Sequence, residues 1–272
     1  MIAHRFRTAT ALGTGLVGLL PVAAVAQGAG AYDWSGFYLG GTIGVIQRGG
    51  SDNISYPDTT ASSGSYTFSG GNLYLGTTTE DTGLPAAFTL DQLGGVVGLN
   101  AGYNFTSGNL VYGVEGDFSL LNGAHELASG QSSGGKTTVT VDNSLTSLMT
   151  LRGRVGISAD RLLLFATAGL AAGQTSLSTD LNYQDFGKSS AALSGSGSGL
   201  PVGFVAGIGG EYAATDHISL KAEALYYRLG GTSATATGSG TDSSNNSVGA
   251  SPYTATYNPS GVLVSSGIDF KF

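Results

Sequence analysis

Cysteine is absent from the 272 residues, only 11% of them are charged, and there is a single Trp. The first absence excludes disulfide frameworks, thiolate zinc sites and thiol nucleophiles together. The second is well under the quarter or so of charged residues in an average soluble domain, so a fully solvated surface is excluded too. What charge exists leans acidic, 18 Asp and Glu against 11 Lys and Arg, for a formal −7. Such a chain offers no basic face for nucleic acid. With only three His and no His/Asp/Glu group at ligand spacing, neither a metal nor a cofactor is expected. Beyond the N-terminus no segment has 18 consecutive apolar residues, which excludes a transmembrane helix. What is abundant is glycine, 46 residues, with 13 Tyr and 11 Phe, the composition of a glycine-rich β protein.

The N-terminal segment reads as an address. His4, Arg5 and Arg7 precede an apolar stretch from Ala9 to Val25, and Ala24-Val25-Ala26 has the small-x-small form of a signal-peptidase site. Glycines at 13, 15 and 18 and Pro21 argue against a permanent anchor. Residues 1–26 are expected to be a cleaved signal peptide, with the barrel domain over 27–272.

A closed β-barrel is the remaining way into a membrane, since it satisfies every backbone group between strands. Period-2 alternation predicts strands at Gly36–Ile46, Leu93–Phe105, Leu110–Leu120, Ser147–Ile157, Leu162–Ala172, Pro201–Tyr212, Ile218–Arg228 and Gly261–Phe272. Each is long enough for the roughly 9–11 residues that a tilted strand needs to cross a bilayer. The connections alternate: Thr106–Asn109, Ser158–Arg161 and Ala213–His217 are short, whereas the others run about 26 to 46 residues. Short turns on one side and long loops on the other predict an all-β, eight-stranded, antiparallel up-and-down transmembrane barrel with four long surface loops.

Charge fixes the strand phase. A base facing lipid at mid-membrane costs about 2–4 kcal/mol, so strand charges should point inward. Glu115 and Asp117 then point in while Tyr112, Val114 and Phe118 face out; Arg152 and Arg154 point in while Met149, Leu151 and Val155 face out. The same parity turns Glu211, Lys221, Glu223, Asp269 and Lys271 inward, and Asn100 and Asn104 set the second strand. Arg228 breaks the pattern at a strand end, and the strand Leu162–Ala172 carries no charge to set its phase. These five acids and four bases form a candidate interior charge network. An eight-stranded barrel is just filled by side chains, so the charges must pair; a narrow permeation path is the other reading, with glycines such as Gly40 leaving room. Trp34, Phe37, Tyr103, Phe105, Tyr112, Tyr212, Phe270 and Phe272 collect at the short-turn end, where an aromatic girdle belongs.

The runs Asp33-Trp-Ser-Gly-Phe-Tyr-Leu-Gly-Gly41, Tyr112-Gly-Val-Glu-Gly-Asp117, Leu151-Arg-Gly-Arg-Val-Gly156 and Gly209-Gly-Glu-Tyr212 resemble small porin-like outer-membrane barrels of alphaproteobacterial type, relatives of the OmpA transmembrane domain. Phe272, with Phe270 two before it, resembles the C-terminal aromatic signal read by the barrel-assembly machinery. The resemblance implies both termini in the periplasm, four surface loops, and a bacterial outer-membrane location among lipids and lipopolysaccharide. It implies no single activity, and the cell-wall tether of full OmpA proteins is not expected.

Catalytic groupings are thin. His125, with Glu126 and Ser129 nearby, lies in a long loop and His217 in a short turn on the opposite side, so no catalytic residue is assigned. Gly195-Ser-Gly-Ser-Gly199 reads as a flexible linker. Tyr66, Phe68 and Leu73–Leu75 around Gly70-Gly71-Asn72 predict a projecting hairpin, and Lys136–Val141 a strand extension. The loop 230–260, with Tyr253 and Tyr257, is a candidate contact for an unspecified partner. The expected function is structural, with porin-like passage of small solutes and no enzymatic activity; the alternative is a surface adhesin or receptor working through the loops.

Overall fold

The alternation of apolar and small or polar residues is realised as strands, and all regular elements among the described residues are of this kind. The computed structural model describes residues 32–55, 72–75, 78–81, 87–122, 126–131, 137–185, 189–241 and 246–272. The expected signal segment and His125 lie outside them. In chain order the strands are β1 (Gly36–Ser55), β2 (Asn72–Leu75), β3 (Thr78–Asp81), β4 (Ala87–Ser107), β5 (Leu110–Asn122), β6 (Glu126–Gln131), β7 (Thr137–Ala159), β8 (Leu162–Asp185), β9 (Ser189–Gly199), β10 (Val202–Ala213), β11 (Ile218–Leu229), β12 (Thr232–Thr241) and β13 (Ser247–Lys271).

Eight of them close a ring. β1 pairs with β4, β4 with β5, β5 with β7 and β7 with β8. β8 continues to β10, β10 to β11 and β11 to β13, and β13 returns to β1; every pairing is antiparallel. A closed ring leaves no unpaired edge at membrane depth. Each predicted strand lies in one of these eight, with only Pro201 and Phe272 just beyond the observed bounds. Within the short turns two residues take left-handed backbone, Gly108 (φ 60°) and Asp160 (φ 50°), as residue types that tolerate this region do in tight turns.

The expected long loops are in large part wall. β1, β7, β8 and β13 run 20, 23, 24 and 25 residues. β9 and β12 pair with each other and with β8 and β13, continuing the wall above β10 and β11. Between β9 and β10 the pairing breaks at Leu200-Pro201, where proline has no N–H to give, and between β11 and β12 at Gly230-Gly231. The Gly195–Gly199 run is therefore part of a strand and not a linker. Its glycines permit close packing: a Cβ on Gly195 or Gly197 would fall 2.4 or 2.2 Å from the carbonyl oxygens of Thr235 and Ser233. Thr137–Val141 belongs to β7, while Lys136 is outside the described residues. The first-loop hairpin is β2–β3, paired Asn72↔Asp81 through Leu75↔Thr78. Gly70-Gly71, around which the hairpin was expected, lie outside the described residues, as do Tyr66 and Phe68.

The outer face carries an apolar belt. Outward residues are apolar, Gly, Ala or an occasional Ser until Gln47, Asn122, Gln174, Ser198 and, at the end of β11, Arg228, where exposed polar side chains take over. From Phe37 to Gln47, strand rise and tilt give a belt of about 25 Å, the height of the apolar band of outer-membrane barrels.

Candidate functional site in the barrel lumen

The mouth at the short-turn end is closed by the residues that lead into β1. The Asp33 carboxylate accepts hydrogen bonds from Ser35 N (2.9 Å) and Ser35 Oγ (2.6 Å), and these hold its carboxyl below the usual carboxylate range. The turn sends Trp34 into the barrel, where it is 3% exposed and clusters with Val111, Leu163, Phe165 and Ala213. Trp34 was expected in the girdle; it is a plug instead. Tyr32 stands below it, with the Lys271 ammonium 4.9 Å and the Arg161 guanidinium 5.9 Å from its ring centre. Lys271 also donates to the Asp33 carbonyl, so it belongs to the mouth. Around the outside, Phe37, Tyr103, Phe105, Tyr112, Phe270 and Phe272 are exposed. They form the girdle in neighbouring pairs such as Phe105–Tyr112 (5.5 Å) and Phe37–Phe272 (5.5 Å). Tyr212 is half-buried.

Above the plug lies an ionic layer. Strand register sets it up, since Glu115 faces Arg152 across β5–β7 and Glu211 faces Lys221 across β10–β11. Arg152 spans three carboxylates: Glu115 at 2.5 Å, Glu223 at 2.6 Å and Asp117 at 2.9 Å. Arg154 donates to Glu211 (2.7 Å) and to the Tyr38 hydroxyl (2.8 Å), with its guanidinium 4.2 Å from the centre of the Phe165 ring. Tyr38 in turn donates to Glu115 Oε2 at 2.8 Å. Lys221 reaches Glu115 at 2.9 Å and Asp269 at 3.3 Å. Asn100 Nδ2 donates to Asp269 Oδ1 at 2.8 Å, and Gly40 makes room, because a Cβ there would sit 1.8 Å from that oxygen. Eight of the nine sequence-predicted charges thus meet in one layer, and Lys271 stands apart at the mouth.

Two apolar layers follow. Ile46, Val96, Leu148, Val205, Leu225 and Leu263 pack over the ions. Higher up, Val141, Leu181, Leu193, Ala236 and Tyr253 fill the part of the wall built by the strand extensions. Tyr253 and Tyr257 are therefore interior residues, 1% and 2% exposed, and not loop-surface contacts. Tyr38, Trp34 and Phe165 were missed because uncharged residues carry no parity signal of their own. The strand without charge, β8, turns Leu163, Phe165 and Thr167 inward and Leu162, Leu164 and Leu170 outward. Its neighbours would have supplied that phase through the pairing Arg154↔Thr167.

A closed ring with a lipid-facing belt and an ionic interior has a counterpart among known families. The family model described as outer membrane protein beta-barrel domain matches residues 14–252. The chain belongs to that family. Over 140 residues this outer-membrane barrel is 34% identical to the 31 kDa outer-membrane immunogenic protein of Brucella melitensis, covering 50% of this chain and 55% of that one. Over 125 residues it is 32% identical to the 22 kDa outer membrane protein of Rhizobium leguminosarum bv. viciae, covering 46% and 48%. The chain spans about half the length of the curated relatives it matches. Among solved structures, the outer membrane protease OmpT of Escherichia coli superposes with a TM-score of 0.43 at 10% identity, covering 90% of this chain and 99% of that one. So loose a superposition carries no inference about activity. The protein is an outer-membrane β-barrel of alphaproteobacterial type, and its belt faces membrane lipid.

Proposed function

We propose that this barrel is a structural, non-conducting element of the outer membrane. The observation that carries the reading is the filling of the lumen at three levels, by Trp34 and its cluster, by the Arg152-centred ion pairs, and by the apolar layers above. An ion crossing this interior would have to part buried charge pairs, each break costing about 3–5 kcal/mol, and then cross hydrocarbon. The test is planar-bilayer recording of the refolded protein beside a variant with Arg152→Ala and Arg154→Ala. The wild type should give no discrete current steps; steady single-channel steps would favour porin-like passage.

The second reading is surface recognition, favoured by one feature. The wall above the belt is strand-built and presents outward Ser178, Ser194, Ser196, Thr235 and Thr237, a firm display surface and not a set of loose loops. Lipopolysaccharide is the neighbour such a wall would meet. The signal segment 1–26 and the Phe270/Phe272 terminus supply export and delivery to the assembly machinery, so the mature chain should begin at Gln27.

A further inference from the structure

The strap that leads into β1 draws its partners from all round the ring. Trp34 clusters with Val111 of β5, Leu163 and Phe165 of β8, and Ala213 at the end of β10. The Tyr32 hydroxyl donates to the Asp216 carbonyl (3.3 Å), in the turn between β10 and β11. The Tyr32 ring faces Arg161 of the β7–β8 turn and Lys271 of β13, and Lys271 Nζ donates to the Asp33 carbonyl. Tyr32 and Asp216 stand 184 positions apart in sequence, and Asp33 and Lys271 stand 238 apart. These partners meet only through the pairings β8–β10, β11–β13 and β13–β1. Until β13 lies on β1, the strap stands at one edge of the sheet and Lys271 at the other, so the docking site does not exist.

The strap is also separable from the wall. Residues 32–35 belong to no strand, so they leave without breaking a ladder hydrogen bond. Trp34 is buried, yet its indole N–H has no acceptor, which sets a desolvation cost against the apolar contact it gains. The ion pair beneath Tyr32, Arg161–Asp216 at 2.9 Å, is open to solvent, with the Asp216 side chain 80% exposed, and exposed pairs hold weakly. An element that docks on the finished ring and holds by few strong contacts is the first to come away when the ring is disturbed.

We propose that residues 32–35 are a clasp that closes after the ring and opens before it, slowing unfolding while leaving folding untouched. Contacts absent from the folding transition state act on the unfolding rate alone. The residues before the first strand thereby latch the last strand, through Lys271, at the seam where β13 meets β1. That seam joins the two strands farthest apart in sequence, the pairing whose loss opens the whole ring. The clasp acts on the lifetime of the closed barrel, and it does so whether or not the barrel conducts.

The test uses the full chain refolded in detergent and its single Trp. Ring closure is followed by the gel shift, and docking of the strap by the fall in acrylamide quenching of Trp34. In the wild type the gel shift should be complete first, with the Trp34 change as a separate later phase. Two variants probe the lock: Tyr32→Ala, which alters no strand residue, and Lys271→Met, which keeps the stem and removes the ammonium. Each should speed unfolding in urea about tenfold while its folding rate stays within about twofold of the wild type. Burial of Trp34 together with or ahead of the gel shift overturns the clasp, and this timing needs no variant to fold. So does an unfolding rate unchanged in both variants, or a folding rate that falls as far as unfolding rises.

Discussion

Arg152 is the residue on which the interior turns. It touches Glu115, Asp117 and Glu223 at once, with its side chain and those of the two Glu almost wholly buried. Removing it strands buried carboxylates, so Arg152→Ala should destabilise the barrel by about 3–5 kcal/mol, read as a lower urea midpoint in gel-shift unfolding. Replacing an exposed polar residue of the wall, such as Ser196→Ala, should shift that midpoint by no more than about 0.5 kcal/mol. A second residue-scale prediction concerns Asp33. Its carboxyl is held below the ordinary range by the Ser35 hydrogen bonds, so its contribution is fully present above the usual carboxylate pKa and is lost as pH falls through the lowered value. Trp34, the single Trp of the chain, reports that loss: acrylamide quenching should increase on acidification, and Asp33→Asn should flatten the response. An unchanged pH profile in Asp33→Asn would separate Trp34 from this turn.

At the scale of elements, what was legible depended on where charge fell. Glu115/Asp117, Arg152/Arg154 and Lys221/Glu223 mark their strands because a charge at membrane depth has one tolerable side. β8 has no such marker in its lower half, so its inward set of Leu163, Phe165 and Thr167 emerges only from pairing. The extensions were obscured by composition. Ser, Thr and Gly suggest loop, yet Leu177, Leu181 and Tyr183 in β8 and Tyr253, Ala255 and Tyr257 in β13 alternate inward and are buried. The Trp34 plug was hidden for another reason, since an aromatic beside the membrane interface suits a girdle as well as a mouth. Hydrogen exchange tests the extensions: amides across Gly195–Gly199 should be protected by pairing to β8, whereas a linker would exchange at the open-chain rate. Deleting Phe272, which packs on Phe37 and Phe270, should slow assembly into membranes without altering the interior layers, as followed by the kinetics of the gel shift.

For the whole molecule, the ring closes β13 on β1 over all but the first two residues of β1, from Tyr38↔Lys271 to Ser55↔Thr254. Closure puts lipid on one side of every strand and packed side chains on the other, and membership of the outer-membrane barrel family agrees with that division. Because the chain has no cysteine, the division can be measured without background. Single cysteines placed in turn at Leu148, Met149, Thr150, Leu151, Gly153 and Val155, each carrying a nitroxide, should show collision with lipid-dissolved oxygen at 149, 151, 153 and 155. Positions 148 and 150 should be shielded from oxygen and from a water-soluble relaxant alike. Free access of the water-soluble relaxant at 148 and 150, or loss of the two-residue period, would contradict a lipid-facing belt around a filled lumen.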